Sequence, residues 1–150
     1  MPWPAIRRDG IVDWKLEVVV VPVADVDRAK AFYTERAGFN LDVDHRAGDD
    51  FRVVQLTPPG SACSITIMRN TAAAGSVQGL HLVVPDIDAA RAELVGRGTD
   101  VGEIFHFESG SQVPGPDPQR SDYGSFLSFG DPDGNSWLVQ EVRRAAPAHD

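Results

Sequence analysis

Val23-Ala24-Asp25-Val26-Asp27-Arg28-Ala29-Lys30-Ala31 returns sixty-one residues later as Val84-Pro85-Asp86-Ile87-Asp88-Ala89-Ala90-Arg91-Ala92. Val, both Asp and two Ala recur in place, Ile87 replaces Val26, and the same offset pairs Arg36 with Arg97. A repeat of this length marks a duplicated structural unit. Each copy follows a β-branched run, Val18 to Val21 and Leu82 to Val84, of the kind that forms buried strands. Asp25 and Asp86 then stand where an N-cap accepts hydrogen bonds from the first-turn amides of a helix. Val26, Ala29, Phe32 and Tyr33 share one helical face, as do Ile87, Ala90, Leu94 and Val95. Gly38 and Gly98 are natural helix stops.

Three strand-like stretches follow each helix. In the first copy they are Phe39 to His45, Phe51 to Thr57 and Ser64 to Met68; in the second, Val101 to Phe107, Ser125 to Phe129 and Trp137 to Val142. The last pair of each copy is joined by a Pro- and Gly-bearing turn, Thr57-Pro58-Pro59-Gly60 or Asp131-Pro132-Asp133-Gly134. The expected fold class is α+β, with two tandem βαβββ modules. Module one spans 14–69, a linker rich in small residues spans 70–77, and module two spans 78–143. Residues 1–13 form an N-terminal extension and 144–150 a flexible tail. Between its N-cap and its turn the second copy carries thirteen extra residues, assigned to Glu108–Tyr123 and read as a flap over a pocket.

Composition narrows the function classes. At 150 residues, 42% hydrophobic and 24% charged, the chain suits one globular domain. A net charge of −8 argues against nucleic acid, and Arg7-Arg8 and Arg143-Arg144 are too short to form a basic patch. No apolar run is long enough to span a bilayer, so no membrane association is expected. One cysteine, Cys63, excludes an intrachain disulfide, and the expected location is cytoplasmic. No nucleotide-binding or G-x-S-x-G nucleophile motif occurs.

Val23 to Tyr33, Gly38-Phe39 and Phe129-Gly130-Asp131-Pro132-Asp133-Gly134-Asn135 resemble the vicinal-oxygen-chelate superfamily, which includes glyoxalase I, bleomycin-resistance proteins and extradiol dioxygenases. The resemblance covers about Leu16 to Val142. It implies curled mixed sheets forming a cup for a small molecule, and commonly a homodimer. It also implies metal-ligand positions, which here hold Val18, Gly79, Leu138 and, by matching Gly60 to Gly134, Ser64. Three of these four side chains carry no donor, so no metal ligand and no cofactor is predicted; a divalent metal held by shifted ligands is the alternative.

Strand alternation turns His81, two beyond Gly79, and Gln140, two beyond Leu138, into the implied cup. His81 is the candidate acid–base catalyst and Gln140 its orienting partner. Glu17 and Glu141 have the opposite parity and are expected to point outward. Candidate ligand-binding residues are Arg52 and Gln55, on opposite faces of one strand, His106 beside the long loop, Tyr123 closing that loop, and Trp137 opening the last strand. The reading is a small-molecule pocket protein without the usual metal site, binding a partly apolar metabolite. As an enzyme it would be a lyase or isomerase, or a dioxygenase, of the glyoxalase-like type. The alternatives are a protein that sequesters a drug or toxin, and a metal-dependent lyase, epimerase or dioxygenase.

Overall fold

A computed structural model describes residues 9–143; the tail at 144–150 and the first eight residues of the extension, with Arg7-Arg8, lie outside the described residues. The chain is α+β with two mixed sheets. Sheet one contains β1 (Val18–Val23), β2 (Asn40–Ala47), β3 (Phe51–Thr57) and β4 (Ser64–Arg69), in the order β1-β4-β3-β2. Sheet two contains β5 (Leu80–Val84), β6 (Phe105–Glu108), β7 (Ser111–Pro114), β8 (Phe126–Gly130) and β9 (Ser136–Glu141), in the order β5-β9-β8-β6-β7. The first strand of each module pairs in parallel with its last, β1 with β4 and β5 with β9.

Helices α1 (Val26–Ala31) and α2 (Ile87–Gly96) begin at the Asp caps: Arg28 N donates to Asp25 Oδ1 and Ala89 N to Asp86 Oδ1, each at 3.1 Å. Helix α1 continues as a π-helical turn over Phe32–Arg36, closed by Ala37 N donating to the Phe32 carbonyl at 3.0 Å. Val21, Val23, Val54, Leu56, Ile65 and Ile67 of sheet one join one core with Leu127, Phe129, Trp137 and Val139 of sheet two. Val26, Ala29, Tyr33, Ile87 and Leu94 of the helices belong to the same core. The contributing residues of each sheet share one parity, so each sheet turns an inner face to the helices and leaves an open face outside.

Two devices lock the modules together. In the first, Asp131, 7% exposed, accepts at Oδ2 from Tyr33 Oη (2.8 Å) and Asn135 Nδ2 (2.9 Å), and at Oδ1 from the amides of Asp133 and Asn135. Asn135 also donates to the Pro22 carbonyl and accepts from Val77 N, so the Asp-Pro-Asp-Gly-Asn turn is tied to module one. The second device is reciprocal. Arg36 Nη1 donates to the Gly98 carbonyl (2.9 Å), and Arg97 Nη1 donates to the Glu35 carbonyl (3.4 Å). Gly38 and Gly98 have φ of +77° and +83°. A Cβ on Gly38 would meet the Arg97 guanidinium at 2.8 Å, and one on Gly98 would meet Arg36 Nη1 at 2.2 Å. The sequence offset that pairs Arg36 with Arg97 thus reflects a physical interlock.

The segment after α2 departs from expectation. Val101 makes only an isolated bridge to Phe129, and the strand begins at Phe105. The thirteen extra residues are not a flap. Part of them forms a β6–β7 hairpin turning at Ser109 and Gly110 (φ +53° and +80°), and the rest is pinned to α2 and β9. Arg120, at φ +51°, donates to both carboxylate oxygens of Glu141 (2.9 and 2.6 Å) and to Asp88 (2.9 Å). Asp117 accepts from Gln119 N and Ser121 N, and its own amide donates to Ser125 Oγ. Glu141 does point away from the open face, yet it is fully buried, because Arg120 and the Ile87 amide cover it. Alternation predicted the direction; the covering loop decided the burial.

Candidate functional site

The strand registers give the open faces row by row. On sheet two, Val83, Gln140, Phe126, Phe105 and Pro114 lie across β5, β9, β8, β6 and β7; the next row is His81, Leu138 and Ser128. Phe107 has the parity of Phe105. The Phe105 and Phe126 rings stack at 5.4 Å, and Phe107 meets them edge-on at 5.8 and 5.4 Å. His81 is exposed, Gln140 is half-buried, and neither side chain forms a hydrogen bond among the described residues. The face therefore combines an aromatic floor with two uncommitted polar groups in adjacent rows. On sheet one the rows are Val18, Ser64 and Thr57, then Val20, Thr66, Gln55 and Val43. Thr57 Oγ1 bonds Asp42, the residue at the β2 bulge, and lies 2.6 Å from Ser64 Oγ.

The registers also revise one equivalence. Asn70 N donates to the Val23 carbonyl as Val142 N does to Val84, so β4 corresponds to β9 with Thr66, not Ser64, opposite number to Leu138. The first-module turn accounts for one residue of this two-residue slip: its hydrogen bond runs from Ser61 N to the Pro58 carbonyl, a residue later than the Thr57–Gly60 reading, and one more residue separates the turn from β4 than separates its counterpart from β9. Leu138 pairs with His81, whereas the Gly79 amide donates to Ser136 Oγ.

A metal centre does not fit these side chains. Leu138 and Val20 offer no donor, Thr66 offers a hydroxyl, and His81 has only Gln140 and Ser128 beside it. Among the described residues no group of three or more His, Cys, Asp or Glu is placed to hold a metal ion.

Of the residues singled out in the sequence, His81, Gln140 and Gln55 reach open faces, the first two on the same one. Arg52 does not. It lies on the inner face of β3, held by Asp27 at 2.6 Å and by both oxygens of Asp44 at 2.9 and 3.0 Å. Hydrogen bonds from its guanidinium hold both carboxyls below the usual carboxylate range.

His106, 5% exposed, is also on an inner face. Its ring nitrogens bond Glu108 Oε2 and the Gly115 carbonyl, both at 2.7 Å, which raises its pKa from the ordinary value, Glu108 foremost. Trp137, 3% exposed, stacks on Phe129 and donates Nε1–H to Tyr33 Oη at 3.0 Å, so it is a core aromatic and not a pocket wall. Tyr123 is 46% exposed, at φ +64°, its amide on the Glu141 carbonyl at 2.8 Å. Sequence reasoning missed Phe105, Phe107 and Phe126 as a surface; the signal available was the Phe-His-Phe alternation.

Clefts of about 580, 400 and 190 Å³ occur elsewhere, and none is lined by His81 or Gln140. The largest lies between α2 and the β7 end of sheet two, and the second beside Arg46, Arg52 and Arg69. The open face is identified by its chemistry.

Residues 15–139 match the model of the glyoxalase/bleomycin resistance protein/dioxygenase superfamily. The chain is 28% identical over 131 residues to the uncharacterized protein YetH of Bacillus subtilis (strain 168), covering 85% of this chain and 98% of that protein. TnmS3, an antibiotic binding protein from Streptomyces sp. CB03234, is similar in structure with a TM-score of 0.68 and 31% identity, over 87% of this chain and 97% of that one. A glyoxalase/bleomycin resistance protein from the same organism is similar at TM-score 0.61 and 32% identity, over 84% and 99% of the two chains. No helix among the described residues is long and apolar enough to cross a membrane.

Proposed function

This chain belongs to the glyoxalase/bleomycin resistance protein/dioxygenase superfamily, and from that premise we propose that it is a metal-independent binding protein for a small, partly apolar molecule. The observation that carries this reading is the open face of sheet two. Three phenylalanine rings and Leu138 supply an apolar floor, while His81 and Gln140 present hydrogen-bonding groups with no protein partner among the described residues. Such a surface suits ligand binding, where a few polar groups fix orientation over apolar contact. The likeness to an antibiotic binding protein at 31% identity favours an antibiotic-type ligand. A net charge of −8 favours one that carries positive charge. A second copy of the chain completes the cup, since one chain leaves both open faces uncovered.

The test is titration of chelator-treated protein with bleomycin and a panel of cationic polycyclic aromatic antibiotics, read by intrinsic fluorescence and by mass spectrometry of the recovered compound. The reading expects saturable binding of an unaltered compound, weakened at least tenfold in His81→Ala. A chemically changed compound, with the change lost in His81→Ala, would instead establish His81 as an acid–base catalyst. Binding that returns only with a divalent cation, or no binding across the panel, would sink the proposal.

A further inference from the structure

Three arginines lie in one row across the inner face of sheet one. Arg46 of β2 pairs directly with Arg52 of β3. The β3–β4 register, carried two residues past the Val54–Ile67 pair, sets Arg69 of β4 against the other side of Arg52. Like charges directly opposite each other across strands are destabilising, so the row calls for compensating charge. The centre has it: Arg52 is held by Asp27 and Asp44, and Asp44 also accepts from Lys30. The flanks do not. Arg46 and Arg69 are exposed, and neither side chain forms a hydrogen bond or ion pair among the described residues. Both line the cleft of about 400 Å³ where the β2–β3 hairpin and the end of β4 meet the start of α1, with Phe51 and Met68 beside them. Four aspartates line the same cleft. Asp25 caps α1 and Asp27 is bonded to Arg52, while Asp49 and Asp50, on the β2–β3 turn, are exposed and pair with neither flanking arginine.

We infer that this cleft is a second ligand site, for a small zwitterion whose oxyanion, a phosphate or a carboxylate, is gripped between Arg46 and Arg69 and whose amine faces Asp49 and Asp50. Guanidinium forks bind both oxyanions in a bidentate manner, which makes two uncommitted arginines in one cleft an anion receptor. Their strands stand two spacings apart, roughly 10 Å, and a long arginine stem covers half of that, so both forks can close on one oxyanion above Arg52. The charge balance then selects the ligand class. With Arg52 neutralised by Asp27 and Asp44, the two flanking arginines are matched in number by the two turn aspartates. A bare anion would meet those carboxylates unopposed, and a bare cation would meet the guanidiniums. A ligand carrying both signs satisfies all four groups, and Phe51 and Met68 wall the carbons between its charged ends. None of these residues belongs to sheet two, so the site is independent of the binding role proposed above.

The test titrates the full chain, labelled with nitrogen-15, at fixed ionic strength, and follows its amide and arginine Nε–Hε resonances. Phosphoethanolamine and β-alanine place a phosphate or a carboxylate at one end of a two-carbon amine; inorganic phosphate and ethanolamine carry one charged group each. Saturable shifts at the Arg46 and Arg69 side chains and at the amides around Asp49 and Asp50 are expected with at least one zwitterion, and the tighter of the two identifies the oxyanion. That zwitterion should bind at least tenfold more tightly than inorganic phosphate, and at least tenfold more weakly in Arg46→Gln and in Arg69→Gln. Asp49→Asn/Asp50→Asn should erase the preference over inorganic phosphate. The amide spectrum of each variant shows whether it is folded. Four results overturn the inference: no saturable shift up to about 20 mM, shifts confined to other residues, equal affinity for phosphate and zwitterion, or arginine variants that bind as the wild type does. The two sites share no residue, so a failed antibiotic titration does not bear on this one, nor does failure here bear on that reading.

Discussion

Gly98→Ala probes whether the Arg36–Arg97 interlock holds the modules together. Two costs are expected. Gly98 sits at φ +83°, where an L side chain costs about 1–2 kcal/mol. The new Cβ would stand 2.2 Å from Arg36 Nη1, which must leave. Its hydrogen bonds to the Gly98 carbonyl (2.9 Å) and the Arg97 carbonyl (3.4 Å) go with it. Because Arg36 is exposed and water replaces the lost partners, the second cost is discounted to about 1 kcal/mol. The total is about 2–3 kcal/mol, or roughly 6–10 °C in Tm for a chain of this size.

Urea unfolding followed by circular dichroism measures it, and Gly48→Ala is the control. Gly48 also has positive φ (+70°) but nothing within 4 Å of a Cβ, so only the backbone cost of about 1–2 kcal/mol applies. In an Arg36→Ala background, Gly98→Ala should cost no more than Gly48→Ala does. Equal losses for the two glycines in the wild-type background, or a coupling to Arg36 below about 0.5 kcal/mol, would refute the interlock.

Three further outcomes follow from the same geometry. Arg120→Leu leaves the buried Glu141 carboxylate without its main partner and should cost about 3 kcal/mol by denaturant unfolding. Since Arg120 foremost depresses the Glu141 pKa, wild-type stability from this pair is present at neutral pH and lost as pH falls through the depressed value; the variant should lack that loss. For His106 the sign is opposite: its raised pKa contributes stability below the ordinary histidine value, lost as pH rises through the folded one. Glu108→Gln should flatten stability against pH in that window. Trp137→Ala should cost about 3–5 kcal/mol and His81→Ala less than about 0.5 kcal/mol, because one lies in the core and the other on an open face; equal losses would contradict the face assignment.

The alternation of β-branched runs, the Asp caps and the sixty-one-residue repeat were enough to read the α+β class and the doubled strand–helix–strands module, because those are local preferences repeated in register. His81 and Gln140 were placed on one face by local side-chain parity counted from Gly79 and Leu138, positions that the family resemblance implies face the cup. Parity does not say what covers a face. That Arg52 is consumed by two aspartates and that Trp137 fills the core depend on which distant segment packs there, and the partners lie up to 104 positions away, whereas His106 is taken up by its own hairpin, two and nine residues off. The long loop shows the difference most sharply. Its Gly and Pro content marks it as irregular, but the Arg120 bonds to Glu141 and Asp88 and the Tyr123 amide on the Glu141 carbonyl, all between segments that only the tertiary fold brings together, clamp it to the body of the protein.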